Sequence, residues 1–173
     1  DAKEAALRFV DSIGPNAHLG LISFGAPDAH IHSPLTQDFG SLRQAIERLS
    51  ADGGTPMSEA LALAREKMFV NVNKLAACST SQNANVIVLL TDGMPNNRET
   101  TCSQADITKQ KGIRIIAIGV GDGVDSEYLK QIASSPEDYY FVKESFQLES
   151  TFATIATNLA TELSFSKGGL IHL

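Results

Sequence analysis

Val86-Ile87-Val88-Leu89-Leu90-Thr91-Asp92-Gly93 is the stretch on which the fold turns. Its apolar residues are continuous and of strand length, and they stop at a polar turn. A strand wetted on one face would alternate apolar and polar residues. A continuous run fits a strand covered on both faces, as in a parallel sheet. Asp92 stands at the carboxyl tip of this strand, where open α/β sheets collect their ligands.

The flanking sequence supports that reading. Downstream, a helix is expected from about Glu99 to Lys111, with Gly112 as its stop. Ile113, Ile115, Ile116, Ala117, Ile118 and Val120 then form a second buried strand. A helix near Ser126 to Ser134, a short strand at Tyr139 to Val142 and a long amphipathic helix through Leu148, Phe152, Ile155 and Leu159 follow. Upstream, Ala2, Ala6, Phe9, Val10 and Ile13 recur at helical spacing until Gly14-Pro15. Leu19 to Phe24 reads as a strand, and Ala29 to Ile31 as a short edge strand between Pro27 and Pro34. Two further helices carry Leu42 to Leu49 and Met57 to Met68, and Val70 to Asn85 is a polar surface loop. Strands alternating with helices imply βαβ crossovers. The fold class is α/β, a doubly wound, mostly parallel sheet with helices on both faces. Residues 1–165 are expected to form the domain, and 166–173 a tail or linker.

Composition limits what such a domain can do. The chain has 173 residues, 43% hydrophobic and 20% charged, enough for one domain. A formal charge of -6 argues against general binding to nucleic acid or anionic membrane, and leaves room for a cation. No apolar run approaches the roughly 18 residues of a membrane span. Asp1, Lys3 and Glu4 open a helix rather than a secretory signal, although an excised or mature domain would begin in the same way.

Each candidate motif has a plain structural alternative. Asp92-Gly93 is either a ligand position or a turn in which Asp holds its own backbone and Gly takes φ > 0. Thr55-Pro56 follows Gly53-Gly54 and is either an N-cap with Pro at the first helical position or a hydroxyl ligand held at a helix start. Gly119-Val120-Gly121-Asp122-Gly123-Val124 fails the dinucleotide spacing at Val124 and reads as a flexible turn. That failure makes a nucleotide- or flavin-using enzyme a poor fit. His30 and His32 share one side of their strand without a nearby carboxylate and read as surface residues. No nucleophile elbow, H-E-x-x-H or C-x-x-C occurs. Cys78 and Cys102 flank a strand whose ends lie about 20 Å apart, whereas a disulfide needs Cα atoms within roughly 7 Å. A bridge requires the long loop to climb the domain; two thiols or pairing outside the chain are the alternatives.

Taken in order, these residues resemble the von Willebrand factor type A family, which includes integrin inserted domains and matrilin-like matrix domains. The pieces that carry the resemblance are Ala5 to Val10, Leu19 to Phe24, Gly53-Gly54-Thr55-Pro56, Val86 to Gly93 and Gly112 to Gly121, with Asp125 to Ala133 and the last strand and helix behind them. The resemblance covers residues 1 to about 163. It implies a Rossmann-like fold with a metal-ion-dependent adhesion site on its upper face. Such a site holds Mg²⁺, or Mn²⁺ or Ca²⁺ in its place, through hydroxyl and carboxylate oxygens, and an acidic residue of a protein partner completes the coordination. By position, Thr55 and Asp92 match two of the family's metal ligands. The implied rim is Asp92 to Arg98, Gly25 to Asp28 and Gly121 to Asp125. The implied function is a non-enzymatic, extracellular or cell-surface recognition and adhesion module. Its alternative is a metal-independent scaffold in an extracellular fibrous or multiprotein assembly.

The sequence departs from the family at one place. The family's first strand ends in Asp-x-Ser-x-Ser, which supplies further ligands, and residues 1–173 contain no such segment. The cation is therefore conditional on ligands outside these residues. The missing strand would lie in the middle of the sheet, and its absence would leave backbone groups unpaired. Upstream residues, another chain, or the tail Gly168 to Leu173 could fill the place, although the tail carries no Asp or Ser.

Overall fold

The computed structural model describes residues 2–25, 27–50, 53–69, 85–165 and 170–172. The expected architecture is observed. Helix α1 (Ala2–Ser12) leads into strands β1 (His18–Phe24) and β2 (Ala29–Thr36). Helices α2 (Phe39–Glu47) and α3 (Met57–Leu63) follow, and α3 continues through a π-helical turn at Ala64–Met68. Then come β3 (Asn85–Thr91), α4 (Arg98–Gln110), β4 (Ile113–Val120), α5 (Ser126–Ile132), β5 (Tyr139–Val142), α6 (Leu148–Phe165) and β6 (Leu170–His172).

The sheet order is β2-β1-β6-β3-β4-β5. β3 and β4 pair in parallel without a slip, from Asn85 opposite Ile113 to Thr91 opposite Gly119. Because side chains alternate along a strand, Val86 and Val88 enter one core and Ile87 and Leu89 the other. The first core joins α1, α2 and α6, with Phe9 set edge-on to Phe152 at 5.7 Å between ring centroids. The second joins α3, α4 and α5. Two apolar faces therefore explain why the β3 run is continuous rather than alternating.

Local signals set the helix ends. Gly14 (φ +94) and Gly112 (φ +75) adopt the left-handed backbone that terminates α1 and α4. The Asn97 side chain accepts from the Thr100 N–H at 3.0 Å and caps α4. β2 runs antiparallel to β1 at the outer edge and is longer than expected. Pro34 lies within it, which an edge strand tolerates because no outer neighbour needs its N–H.

At the C-terminus the structure takes up one of the three alternatives left open for the central place. Leu170–His172, in the segment read as a tail that could fill this place, forms β6 in the centre of the sheet, parallel to both neighbours. It pairs with only three residues on each side, His18–Gly20 and Asn85–Ile87. The tail thus fills part of the central place. Cys78 lies outside the described residues, and half-buried Cys102 forms no disulfide among them.

Candidate functional site at the carboxyl end of the sheet

The loop before α3 and the loop after β3 are clamped together by two hydrogen bonds between Thr55 and Asn96. The Thr55 N–H donates to Asn96 Oδ1 at 2.9 Å, and the Asn96 N–H donates to the Thr55 carbonyl at 3.0 Å. This reciprocal pair holds Thr55 beside the turn that carries Asp92. A Cβ placed on Gly93 would lie 3.6 Å from Thr55 Oγ1. The structure therefore brings the two sequence-selected residues to one rim, with Thr55 partly buried and Asp92 exposed.

Neither residue performs the plain structural task considered for it. Pro56 occupies the N-cap position of α3, with no side-chain cap, and the Thr55 hydroxyl makes no hydrogen bond among the described residues. The Met57 N–H bonds instead to the Thr55 carbonyl, at 2.8 Å. At the other turn, Gly93 is not in the left-handed region. The Thr91 hydroxyl, not the Asp92 carboxylate, holds the turn: it accepts from the Gly93 N–H at 3.3 Å and lies 3.2 Å from the Gly93 carbonyl. Asp92 and the Thr55 hydroxyl are thereby left as uncommitted hard oxygen donors. No three His, Cys, Asp or Glu side chains converge among the described residues.

The glycine-rich loop after β4 closes one side of the rim for steric reasons. Gly121 has φ +73. At Gly123 a Cβ would sit 2.9 Å from the Asp92 carbonyl oxygen, so only glycine lets the two backbones touch. A backbone oxygen cannot rotate away. Gly123→Ala is expected to lower stability by about 1–3 kcal/mol, read as a lower urea midpoint at unchanged slope.

Asp125, Arg98 and Tyr128 form the outer wall. The Asp125 carboxylate caps α5 by accepting from the Tyr128 N–H at 3.0 Å and pairs with the Arg98 guanidinium. Arg98 lies 4.5 Å above the centre of the Tyr128 ring. The Tyr128 hydroxyl donates to the Arg98 carbonyl at 3.1 Å, and burial pushes this phenol up to about 12. The Tyr128 N–H, followed by Arg98, holds the Asp125 carboxyl below its ordinary value of 3.8. A depressed folded-state value means that the charged form stabilises the fold above pH 3.8 and that this contribution fades as pH falls through the folded value. Asp125→Asn, which keeps a capping oxygen, is expected to flatten this acid limb of a stability–pH profile while leaving α5 formed.

Sequence reasoning selected Thr55 and Asp92 but missed Thr91, Asn96 and the Arg98–Tyr128 stack. Their partners lie 2 to 41 residues away, and no periodicity links the distant ones. His32 has a neighbour that sequence did not suggest, Ser23 Oγ at 2.6 Å from its Nε2. It lies on the edge strand β2.

A family model, the von Willebrand factor type A domain, matches residues 1–154. The chain belongs to this family. Matrilin-1 of Gallus gallus is 33% identical over 140 residues, covering 79% of this chain and 28% of matrilin-1. The chain thus spans less than a third of that relative's length. Among solved structures, proximal thread matrix protein 1 from the mussel byssus superposes with a TM-score of 0.77 at 23% identity, covering 91% of this chain and 40% of that one. Another structure of the same mussel protein has a zinc-occupied MIDAS motif, with a TM-score of 0.71, 24% identity, and coverage of 89% and 39%. The von Willebrand factor domain of the pilus tip protein Mfa5 from Porphyromonas gingivalis gives 0.76 at 16% identity, covering 96% and 89%. These likenesses place the type A fold. Domains of this family typically mediate protein–protein contacts and adhesion.

Proposed function

We propose that this type A domain is a non-enzymatic, extracellular recognition module that engages a protein partner through a divalent cation held in part by Thr55 and Asp92. The observation that carries the reading is the pair of uncommitted oxygen donors on one rim, each released from structural duty by a neighbour. A hydroxyl and a carboxylate are hard donors that suit Mg²⁺, Mn²⁺ or Ca²⁺. Two protein oxygens do not fill an octahedral shell. The remaining positions suit water, oxygens from outside residues 1–173, and an acidic side chain of the partner. The clamp between Thr55 and Asn96 fixes one donor, and the contact of Gly123 with the Asp92 carbonyl fixes the backbone of the other.

A Mg²⁺ titration followed by calorimetry and by thermal unfolding tests the reading. The intact domain, with the upstream residues that supply the remaining ligands, is expected to show saturable heat and a rise in melting temperature with Mg²⁺. Asp92→Ala is expected to weaken Mg²⁺ binding at least about tenfold, equivalent to about 1.4 kcal/mol, with little change in metal-free stability because Asp92 is exposed. An unchanged Mg²⁺ response in Asp92→Ala removes Asp92 from the site.

One observation favours a second reading, the metal-independent scaffold: among the described residues the rim gathers no cluster of acidic or His ligands. Likeness to matrilin-1 and to a byssus matrix protein agrees with that role equally well. No Mg²⁺ response in the domain carrying its upstream Asp-x-Ser-x-Ser segment would favour the scaffold.

A further inference from the structure

Four large apolar side chains stand exposed among the described residues: Ile31, Met94, Phe141 and Phe146. All four lie toward the carboxyl end of the sheet. Ile31 is opposite Ile22 in the upper half of β1, and Phe141 is opposite Gly119 near the top of β4. Met94 and Phe146 stand in the loops that follow β3 and β5. Apolar residues scattered singly over a surface need no explanation. Their gathering at the end that holds Thr55 and Asp92 does, and a protein-binding surface supplies it. The two loop residues are 40% and 74% exposed, yet both stand on a fixed backbone. Met94 lies between the turn held by Thr91 and the Asn96 clamp, next to buried Pro95. At the other loop, the Glu144 and Gln147 side chains cap each other's backbone N–H groups, and the Glu144 N–H meets Gln147 Oε1 at 3.1 Å. Ser145, beside Phe146, lines the same opening as Thr55 and Asp92. A loop already fixed loses little conformational entropy when a partner covers it.

Charge sets a second condition on that partner. Asp28, Glu99 and Asp122 are exposed around the rim, and the charge of Arg98 is already paired with Asp125. One carboxylate of a partner can reach a cation at Asp92, but a second beside it meets like charge. We propose that the partner is a protein segment with a single carboxylate between large apolar side chains, which cover Met94 and Phe146. This rests on the cation reading above, in which that carboxylate completes the metal's shell. Met94 and Phe146 then set which carboxylate-bearing segment is chosen, while Thr55 and Asp92 set that a carboxylate is needed at all. An acidic run is rejected by the rim's own charge, and a polar neighbour leaves both apolar side chains wet.

The probe is a displayed peptide library with a fixed central glutamate and random residues on both sides. It is selected in Mg²⁺ on the intact domain with its upstream residues, and bound peptides are released with a chelator. Large apolar residues are expected to be enriched on both sides of the glutamate, and further acidic residues depleted. An enriched peptide, labelled, then reports affinity by fluorescence polarisation. Met94→Ala and Phe146→Ala are each expected to weaken it at least about tenfold. Both side chains are exposed, so neither change removes core packing. Calorimetry with Mg²⁺ alone on the same domain separates two failures. Where Mg²⁺ binds, the proposal is overturned by retention of no peptide, by enrichment without the apolar bias, by selection of acidic runs, or by unchanged affinity in both alanine variants. Each of those results leaves the cation site standing. Absence of Mg²⁺ heat removes the cation reading and this proposal with it.

Discussion

Phe9→Ala is expected to lower the unfolding free energy by about 3–5 kcal/mol, the range for deleting a fully buried aromatic ring. Phe9 is 0% exposed and lies on the α1 face that meets α6. Its ring stands at 78° to that of Phe152, an edge-to-face pairing worth about 0.5–1.5 kcal/mol beyond the buried area. For a domain of this size the loss corresponds to a fall of roughly 10 °C in melting temperature. Urea unfolding at unchanged slope checks the value. A double-mutant cycle with Phe152→Ala should return the pair term as positive coupling. A change below about 1 kcal/mol, the common size for unremarkable substitutions, would mean that α1 and α6 do not share a packed core.

The second large effect concerns a buried carboxylate. Asp138 is 3% exposed, and Arg114 reaches it from β4 with both Nε and Nη2 on Oδ1, at 2.9 and 2.6 Å. Ser135 Oγ donates to the other oxygen at 3.0 Å, and Arg114 Nη1 continues to Glu162 of α6 at 2.7 Å. The network ties β4, the turn before β5, and the last helix. Arg114→Leu leaves a buried charge with one hydroxyl donor and is expected to cost about 3 kcal/mol, the lower end for breaking a buried pair because Arg114 is itself partly exposed. Adding Asp138→Asn removes that charge while Ser135 can still donate. The double variant is expected to recover more than half of the loss in chemical unfolding. A double variant as unstable as Arg114→Leu alone would show that the cost came from lost packing of the arginine stem rather than from the stranded charge.

These effects, with the acid limb set by Asp125 and the steric limit at Gly123, differ in how far they were legible beforehand. The doubly wound class was legible because burial on two faces writes a continuous apolar strand, as Val86 to Leu90 shows. The helix that carries Phe9 was legible from its 3.6-residue period, and its end from Gly14-Pro15. Thr55 and Asp92 were legible as positions but not as free donors. Their release depends on Thr91 taking the turn and on Pro56 standing at the cap. Hydrogen-bond partners 41 residues apart, as with Thr55 and Asn96, leave no periodic trace.

By itself, the sequence determined the alternation of strands and helices, the two apolar faces of the central strands, and the absence of a dinucleotide spacing after β4. These are local properties, fixed by side-chain period and by where glycine and proline interrupt the chain. Only the tertiary structure decided that Leu170–His172, a short segment with no strand pattern of its own, becomes the middle of the sheet. Three residues carry too weak a local preference to specify a strand. What places them is the open backbone edges of β1 and β3, whose unpaired N–H and C=O groups favour any extended segment that can reach them.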